Sequence, residues 1–501
     1  MHPALCIDEV LQLIFDFCGD LRDSEPKWTY GQLARCCKTW TDPALDRLWR
    51  RMGGLKPLLA LLPKSDECIA EATPTVEDYA KRVRHVVYAD GFVSVPSLKL
   101  SEEHGPNVFP HLESVSLVNA GCLAPPAWIH SPFLTRVAVN LSFSRKPHSV
   151  FDRSAAVARF LPTVPQLHTL QLRGRMSVTL NAVLASLTQL RSLTVHTGDS
   201  LGCDTLAAIA TFPALRILEV HASHIDADEL KDTFAMGDAA FFPALEEQSI
   251  RTNAPLLATL LAHIPSGVLR KLSLDIDGDG DANQAALEAR MKPVFELLAQ
   301  KAAGSLHDLL IEDRTVHDEE QDGNHARGYA LDVLSPLARV RQLRSFILRE
   351  PDLFDKDLET MARWWPVLER LDLGTPEGCG APEESDEMQA DEEHGQAAVA
   401  QAMSQMTSEA YRIVARSFRF LESLSLGAIA PCEVVPVEER TKFVTQLRCL
   451  TVGKASDVTG KVDAPAVVAA LLSIFPTVTS IDCPDAEVSA RFEVAVAGGR
   501  R

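Results

Sequence analysis

Leu368-Glu369-Arg370-Leu371-Asp372-Leu373, entered through Trp365-Pro366, is the stretch from which the fold is read. Its last four residues alternate polar and apolar, so as an extended segment it has one face to bury and one to expose. Pro366 stops any preceding helix, because the residue before a proline is pushed out of the helical region. The same order (apolar, two variable, apolar, variable, apolar) recurs at 112–117, 134–139, 167–172, 190–195, 215–220, 269–274, 306–311, 343–348, 421–426, 447–452 and 478–483. Copies at 83–88 and 245–250 are degenerate, the second placing Gln248 at a core position. Several copies follow an aromatic residue and a proline, as at Phe109-Pro110, Phe212-Pro213, Phe242-Pro243 and Phe475-Pro476. One strand with one helix cannot bury its own apolar face, so the units must stack as a solenoid.

The Leu-x-x-Leu-x-Leu core resembles the leucine-rich repeat, over residues 83–483. The resemblance implies a right-handed α/β solenoid with parallel strands on the concave side and helices on the convex side. The Asn that usually follows the strand is mostly missing, which makes this an irregular member. Third, fifth and seventh positions of each strand point away from the core. The seventh positions include Asn140, Arg173, His196, His221, Arg251, Asp275, Glu312 and Arg349, a polar row that is basic first and acidic later. Arg173, His196, His221 and Arg251 are the candidate donors for an acidic or phosphorylated segment of a target, with Asp275 and Arg349 farther along the same target-binding row.

Residues 1–63 read as a separate all-helical unit, with 64–82 joining it to the repeats and 484–501 as a tail. Ile7, Val10, Leu11, Ile14, Phe15, Phe17 and Cys18 recur at helical spacing behind Asp8, a capping residue. A second helix carries Leu33, Cys36 or Cys37, and Trp40; Asp42-Pro43 predicts the start of a third, running through Leu48-Trp49 to Met52. Residues 55–62 predict a short apolar helix closed by Pro63.

This order resembles the F-box, a three-helix module, although the family has Pro where Asp8 stands. With the repeats, it resembles the F-box leucine-rich-repeat proteins of basidiomycete fungi. The resemblance implies docking to a Skp-type adaptor, and through it to a cullin, by Ile7, Asp8, Val10, Leu11, Ile14, Phe15, Leu33, Cys37, Trp40, Leu48 and Trp49. It implies a substrate receptor of a cullin–RING ubiquitin ligase that is not itself an enzyme. The alternatives are a repeat scaffold with no ligase link and a GTPase-activating repeat protein, for which no catalytic group is identifiable.

Composition narrows the partners. The 501 residues carry 49 Lys and Arg against 68 Asp and Glu, a net charge of −19. That balance argues against a nucleic-acid backbone or an anionic membrane as the main partner. Residues 374–411 hold nine acidic residues and no Lys or Arg, and 376–396 predict a disordered acidic insertion. A smaller polar insertion runs over 312–327. Eleven cysteines without a Cys-x-x-Cys pair predict neither a disulfide framework nor a thiolate metal site. Apolar runs at 254–264 and 464–475 are too short to span a bilayer, and Met1-His2-Pro3 lacks a secretory pattern, so a cytoplasmic or nuclear chain is expected. The string from Asp275 to Asn283 approaches a calcium loop, but Ala286 or Ala282 breaks either frame. It reads as an acidic strand-to-helix turn, and no cofactor is expected.

Overall fold

The structure, a computed structural model, describes residues 7–20, 26–61, 76–89, 108–118, 129, 131–143, 147–237, 240–277, 284–313, 328–349, 351–374, 406–427, 434–440, 442–452, 464–483, 489 and 494. The acidic stretch 376–396 and most of the polar insertion, 314–327, lie outside them. The chain divides into two compact units, Met1–Leu215 and Arg216–Arg501.

The first unit opens with helices α1 (Asp8–Asp20), α2 (Pro26–Cys36) and α3 (Lys38–Arg50). Leu11, Phe15, Tyr30 and Ala44 form their buried core, with Leu33, Ala34, Trp40 and Leu48 packed against it. The Tyr30 hydroxyl donates to the Phe15 carbonyl at 2.7 Å, and Trp40 meets the Phe15 ring edge-to-face at 6.0 Å. One expected boundary is wrong. Cys37, extended, is the N-cap of α3, and Pro43 lies inside the helix instead of at its start. Trp40 and Ala44 sit one turn apart on the core side, so burial holds the helix together across the backbone hydrogen bond that Pro43 removes.

The third helix also ends sooner than expected. Arg51–Met52 is already a strand, β1, parallel to β2 (His85–Ala89). The Arg84 amide donates to the Arg50 carbonyl at 3.0 Å, and Met52 is buried. The apolar helix after it, α4, is short, Lys56–Leu59. Residues 76–80 are helical, and there Trp49 packs on Tyr79 at 4.7 Å. Arg82 binds Asp42 at 2.6 Å and also Asp46, both on α3. Burial works against the Arg82 charge, but these two carboxylates outweigh it and hold its pKa above the usual value. The helical module is therefore built into the first unit: it supplies the first strand of the sheet.

Strands β3 (Ser114–Val118), β4 (Arg136–Asn140), β5 (Thr169–Arg173) and β6 (Ser192–His196) continue that sheet, every pair parallel. Third positions stay opposite third positions throughout: His85, Ser114, Arg136, Thr169, Ser192. Second-position carbonyls of Arg84, Glu113, Thr135 and His168 each accept two amides from the next repeat, for example Glu113 and Ser114 onto Arg84 at 2.8 and 3.0 Å.

The second unit repeats this plan with β7 (Ile217–His221), β8 (Glu247–Thr252), β9 (Lys271–Ile276), β10 (Asp308–Asp313), β12 (Ser345–Leu348), β14 (Arg370–Asp372), β15 (Ser423–Leu426), β16 (Cys449–Val452) and β17 (Ser480–Asp482) in parallel register. A separate two-residue ladder pairs β11 (Tyr329–Ala330) with β13 (Pro351–Asp352). The aromatic-Pro steps make turns: the amides of Leu112, Leu215, Leu245, Leu368 and Val478 return to the carbonyls of Phe109, Phe212, Phe242, Trp365 and Phe475, whose rings are all buried. Trp365 also donates its indole N–H to the Leu337 carbonyl at 3.1 Å. The fold is the expected one, a leucine-rich-repeat solenoid preceded by a three-helix unit.

Two positions strain this plan and give measurable expectations. Gly174 follows β5 with φ +101°, where an added Cβ would lie 2.7 Å from the Ser142 backbone. Gly174→Ala should lower stability by about 2 kcal/mol or more, read as a fall in the thermal midpoint. Gln248 is 2 % exposed between Leu218 and Leu272, and its side-chain amide has no hydrogen-bond partner among the described residues. Gln248→Leu should therefore stabilise the second unit by about 1–3 kcal/mol in urea denaturation.

Candidate functional site

Two surfaces carry side chains that folding alone does not need: one side of α1, and the strand face of the first unit. Along α1, at 100° per residue, Leu13, Phe17, Val10, Ile14 and Ile7 occupy a continuous arc, next to the arc of Leu11 and Phe15. The second arc is buried in the helical core; the first faces outward. Leu13 is 70 % exposed, Phe17 69 %, Ile7 48 % and Ile14 37 %, with Val10 half-buried. Trp28, in the first turn of α2, is exposed as well. Exposed large apolar groups grouped along one helix mark a surface that another molecule covers.

This arrangement divides the predicted docking residues. Ile7, Val10 and Ile14 lie on the outward arc. Leu11 and Phe15 do not: they are fully buried, with Leu33, Trp40 and Leu48 packed around them. Trp49 packs on Tyr79, Cys37 is the half-buried N-cap of α3, and the Asp8 side chain lies outside the described residues. Leu13, Phe17 and Trp28 were missing from the expected set. A helical wheel drawn on the sequence places Leu13 and Phe17 beside Ile14, and that signal would have found them.

On the strand faces the predicted row is real in register. Asn140, Arg173 and His196 stand opposite one another in the first unit, and His221, Arg251, Asp275 and Glu312 in the second. Its donors are not equivalent, however. Arg251 reaches Asp277 through Nε at 2.9 Å and Nη2 at 2.9 Å, with Asp275 at 4.0 Å, and Asp277 also accepts from Ser223. The hydrogen bonds to Asp277 raise the Arg251 pKa above its usual value. Arg349 meets Asp372 at 3.5 Å. Arg251 was expected among the donors for an acidic segment; it is instead neutralised by a carboxylate one strand over. His196 and His221 are half-buried, while Arg173 is exposed and forms no ion pair among the described residues.

A second row was not anticipated. Arg51, His85, Ser114 and Arg136 stand opposite one another at the strand starts, followed by Thr169 and Ser192. Burial pushes the His85 pKa below its ordinary 6.5, and Arg51, Arg50 and Arg136 push the same way against Glu113. Beside this row a cleft of about 800 Å³ opens against α3, lined by Arg47, Arg50, Lys81, Arg84 and His111 and, of opposite sign, Asp42, Asp46 and Glu113. Among the described residues no three His, Cys, Asp or Glu side chains are placed to hold a metal ion. Of the calcium-like string, Asp277 is bound to Arg251 and 278–283 lie outside the described residues. No described helix is long and apolar enough to cross a membrane.

Comparison with known proteins gives little beyond this. No protein-family model matches the chain. A Tonsoku-like protein of Danio rerio is 36 % identical over 131 residues, which cover 24 % of this chain and 8 % of that protein. The chain thus spans less than a tenth of the curated relative it matches. Among solved structures, a TLR13–ssRNA13 complex superposes with a TM-score of 0.42 at 14 % identity, over 81 % of this chain and 50 % of the other. An internalin from Listeria monocytogenes gives 0.37 at 14 % identity, over 85 % and 97 %. The fold assignment rests on strand register, not on these superpositions.

The division of α1 into buried and outward arcs is directly testable. Leu11→Asp should unfold the helical module, at about 3 kcal/mol or more for a charge in a packed core. Leu13→Asp should leave the thermal midpoint nearly unchanged, since it alters only an exposed position. Far-UV circular dichroism melts of both variants check the contrast.

Proposed function

We propose that this chain is a non-enzymatic substrate receptor: its N-terminal helices dock on a Skp-type adaptor of a cullin–RING ubiquitin ligase, and its repeats hold a protein target. The observation that carries the reading is the outward apolar arc of α1, Ile7, Val10, Leu13, Ile14 and Phe17, on a module whose sequence resembles the F-box. Hydrophobic docking surfaces draw most of their binding energy from a few large anchors, and Phe17 and Leu13 are the most exposed ones here. Such a receptor works by proximity. It raises the local concentration of target lysines near a charged ubiquitin carrier, while the transfer chemistry belongs to other subunits. The fusion of the helices to the sheet through β1 and Arg82 suits that role, because it holds the docking helices in fixed register with the first repeats. A cytoplasmic or nuclear location goes with this reading.

Co-purification of the full chain with a recombinant Skp-type adaptor tests it. The wild type should form a stable one-to-one complex in size-exclusion chromatography, and Leu13→Ser with Phe17→Ser should weaken it about tenfold or more without lowering the melting temperature. A wild-type chain that stays adaptor-free beside excess adaptor removes the ligase link and leaves a repeat scaffold.

A further inference from the structure

The strand face of the first unit differs in charge from the chain as a whole. Its outward positions, from Arg51 on β1 to His196 on β6, include Arg51, His85, Arg136, Arg173 and His196 and no Asp or Glu, in a chain of net charge −19. Arg51, Arg136 and Arg173 are exposed, and none forms an ion pair among the described residues. On the strand face of the second unit, by contrast, Arg251 and Arg349 are held by Asp277 and Asp372, while Arg370 on β14 is exposed like these arginines of the first unit. At the strand starts burial disfavours the charged form of His85, and Arg51, Arg50 and Arg136 act in the same direction. Glu113, the carboxylate that acts on His85, lies 3.9 Å from Arg84.

We propose that this face binds an extended acidic peptide segment of a partner protein, its carboxylates distributed over Arg51, Arg136 and Arg173. The inference deepens the protein-binding role assigned to the repeats and does not depend on the adaptor. Geometry selects distributed charge over a single phosphate. Arg51 and Arg136 are three strand spacings apart, about 14 Å, which is about four residues of an extended peptide crossing the strands. Arg173 lies four residues farther along its strand than the Arg136 row, about 13 Å away. No two of the three converge on one point, as clamping one phosphate would require. Between them Ser114, Thr169 and Gln171 offer neutral donors for a peptide backbone. A nucleic acid fits less well: no aromatic residue stands at an outward strand position to stack a base, and the net negative charge repels a polyanion at long range.

The test uses the purified full chain, without adaptor, and a fluorescein-labelled 16-residue peptide of alternating Glu and Ser. Fluorescence anisotropy in low salt should show saturable binding that weakens about tenfold between 50 and 300 mM NaCl. Replacing every Glu with Gln should abolish it. Arg51→Glu with Arg136→Glu should weaken binding about tenfold or more, while Arg370→Glu, the same change on β14, should alter it less than about twofold. If the double variant melts several degrees early, Arg136→Glu alone and Arg173→Glu alone take its place, each expected to weaken binding about threefold or more. The proposal is overturned by any of three results: no binding by the wild type, equal binding by the first-unit variants, or tighter binding of either a single-phosphoserine peptide without Glu or a 16-nucleotide single strand. A chain that binds adaptor but not this peptide overturns only this inference, and the converse result overturns only the ligase link.

Discussion

One carbonyl per repeat, at the second position, holds each unit in place by accepting two amides from the next. Arg84, Glu113, Thr135 and His168 do this in the first unit, and Arg216, Glu246, Arg270, His307, Arg344, Glu369, Glu422 and Arg448 in the second. A carbonyl oxygen has two lone pairs, so both amides are satisfied at the point where a strand begins and a slip in register would orphan one of them. The device is made of backbone and so does not care which side chain stands there. Arg, Glu, Thr and His all serve. This explains how a chain with irregular spacing and no regular asparagine after its strands keeps one register throughout both units.

With register fixed by the backbone, side chains are free to specialise by direction. Inward positions are Leu, Val and Ile almost everywhere, and the aromatics of the five aromatic-proline steps (Phe109, Phe212, Phe242, Trp365 and Phe475) are buried with them. Gln248 breaks the inward rule and buries an amide between Leu218 and Leu272 with no hydrogen-bond partner among the described residues, at a cost in stability. Outward positions are freer of packing, and their charges vary along the chain, some of them tied into local pairs such as Arg251–Asp277 and Arg349–Asp372. The strand face of the first unit carries no Asp or Glu at its outward strand positions, whereas that of the second sets Arg251 and Arg349 against carboxylates.

Much of this was legible in the sequence, for a physical reason. A period of two over four residues, entered in several copies through a proline turn, names a strand and its faces, and every clear copy became a strand. The seventh-position row was therefore found correctly by register, but its charges were not. Asp277 lies beyond the strand pattern, and nothing local to Arg251 announces that a carboxylate one repeat on will fold back to it. The Arg51–His85–Arg136 row escaped because Arg51 read as helix and the copy at 83–88 as degenerate. On α1 the seven apolar residues named by spacing were taken as one face, when the helix is apolar over a wider arc than its core can cover. The residues that recur most regularly, Leu11 and Phe15, were the ones the core claimed.

β1 has a meaning that its two residues do not suggest. A stack of parallel strands ends in a row of unsatisfied amides and carbonyls, and such an edge recruits further strands from other molecules. Placing Arg51–Met52 there, directly out of a helix and directly before Gly53-Gly54, gives the first repeat a neighbour too short to serve as a template. The helical module is in this sense the lid on the open end of a polymer. Any chain of this design that lost its helices would lose its protection against edge-to-edge aggregation together with the outward apolar arc of α1, so the two are inherited as one piece.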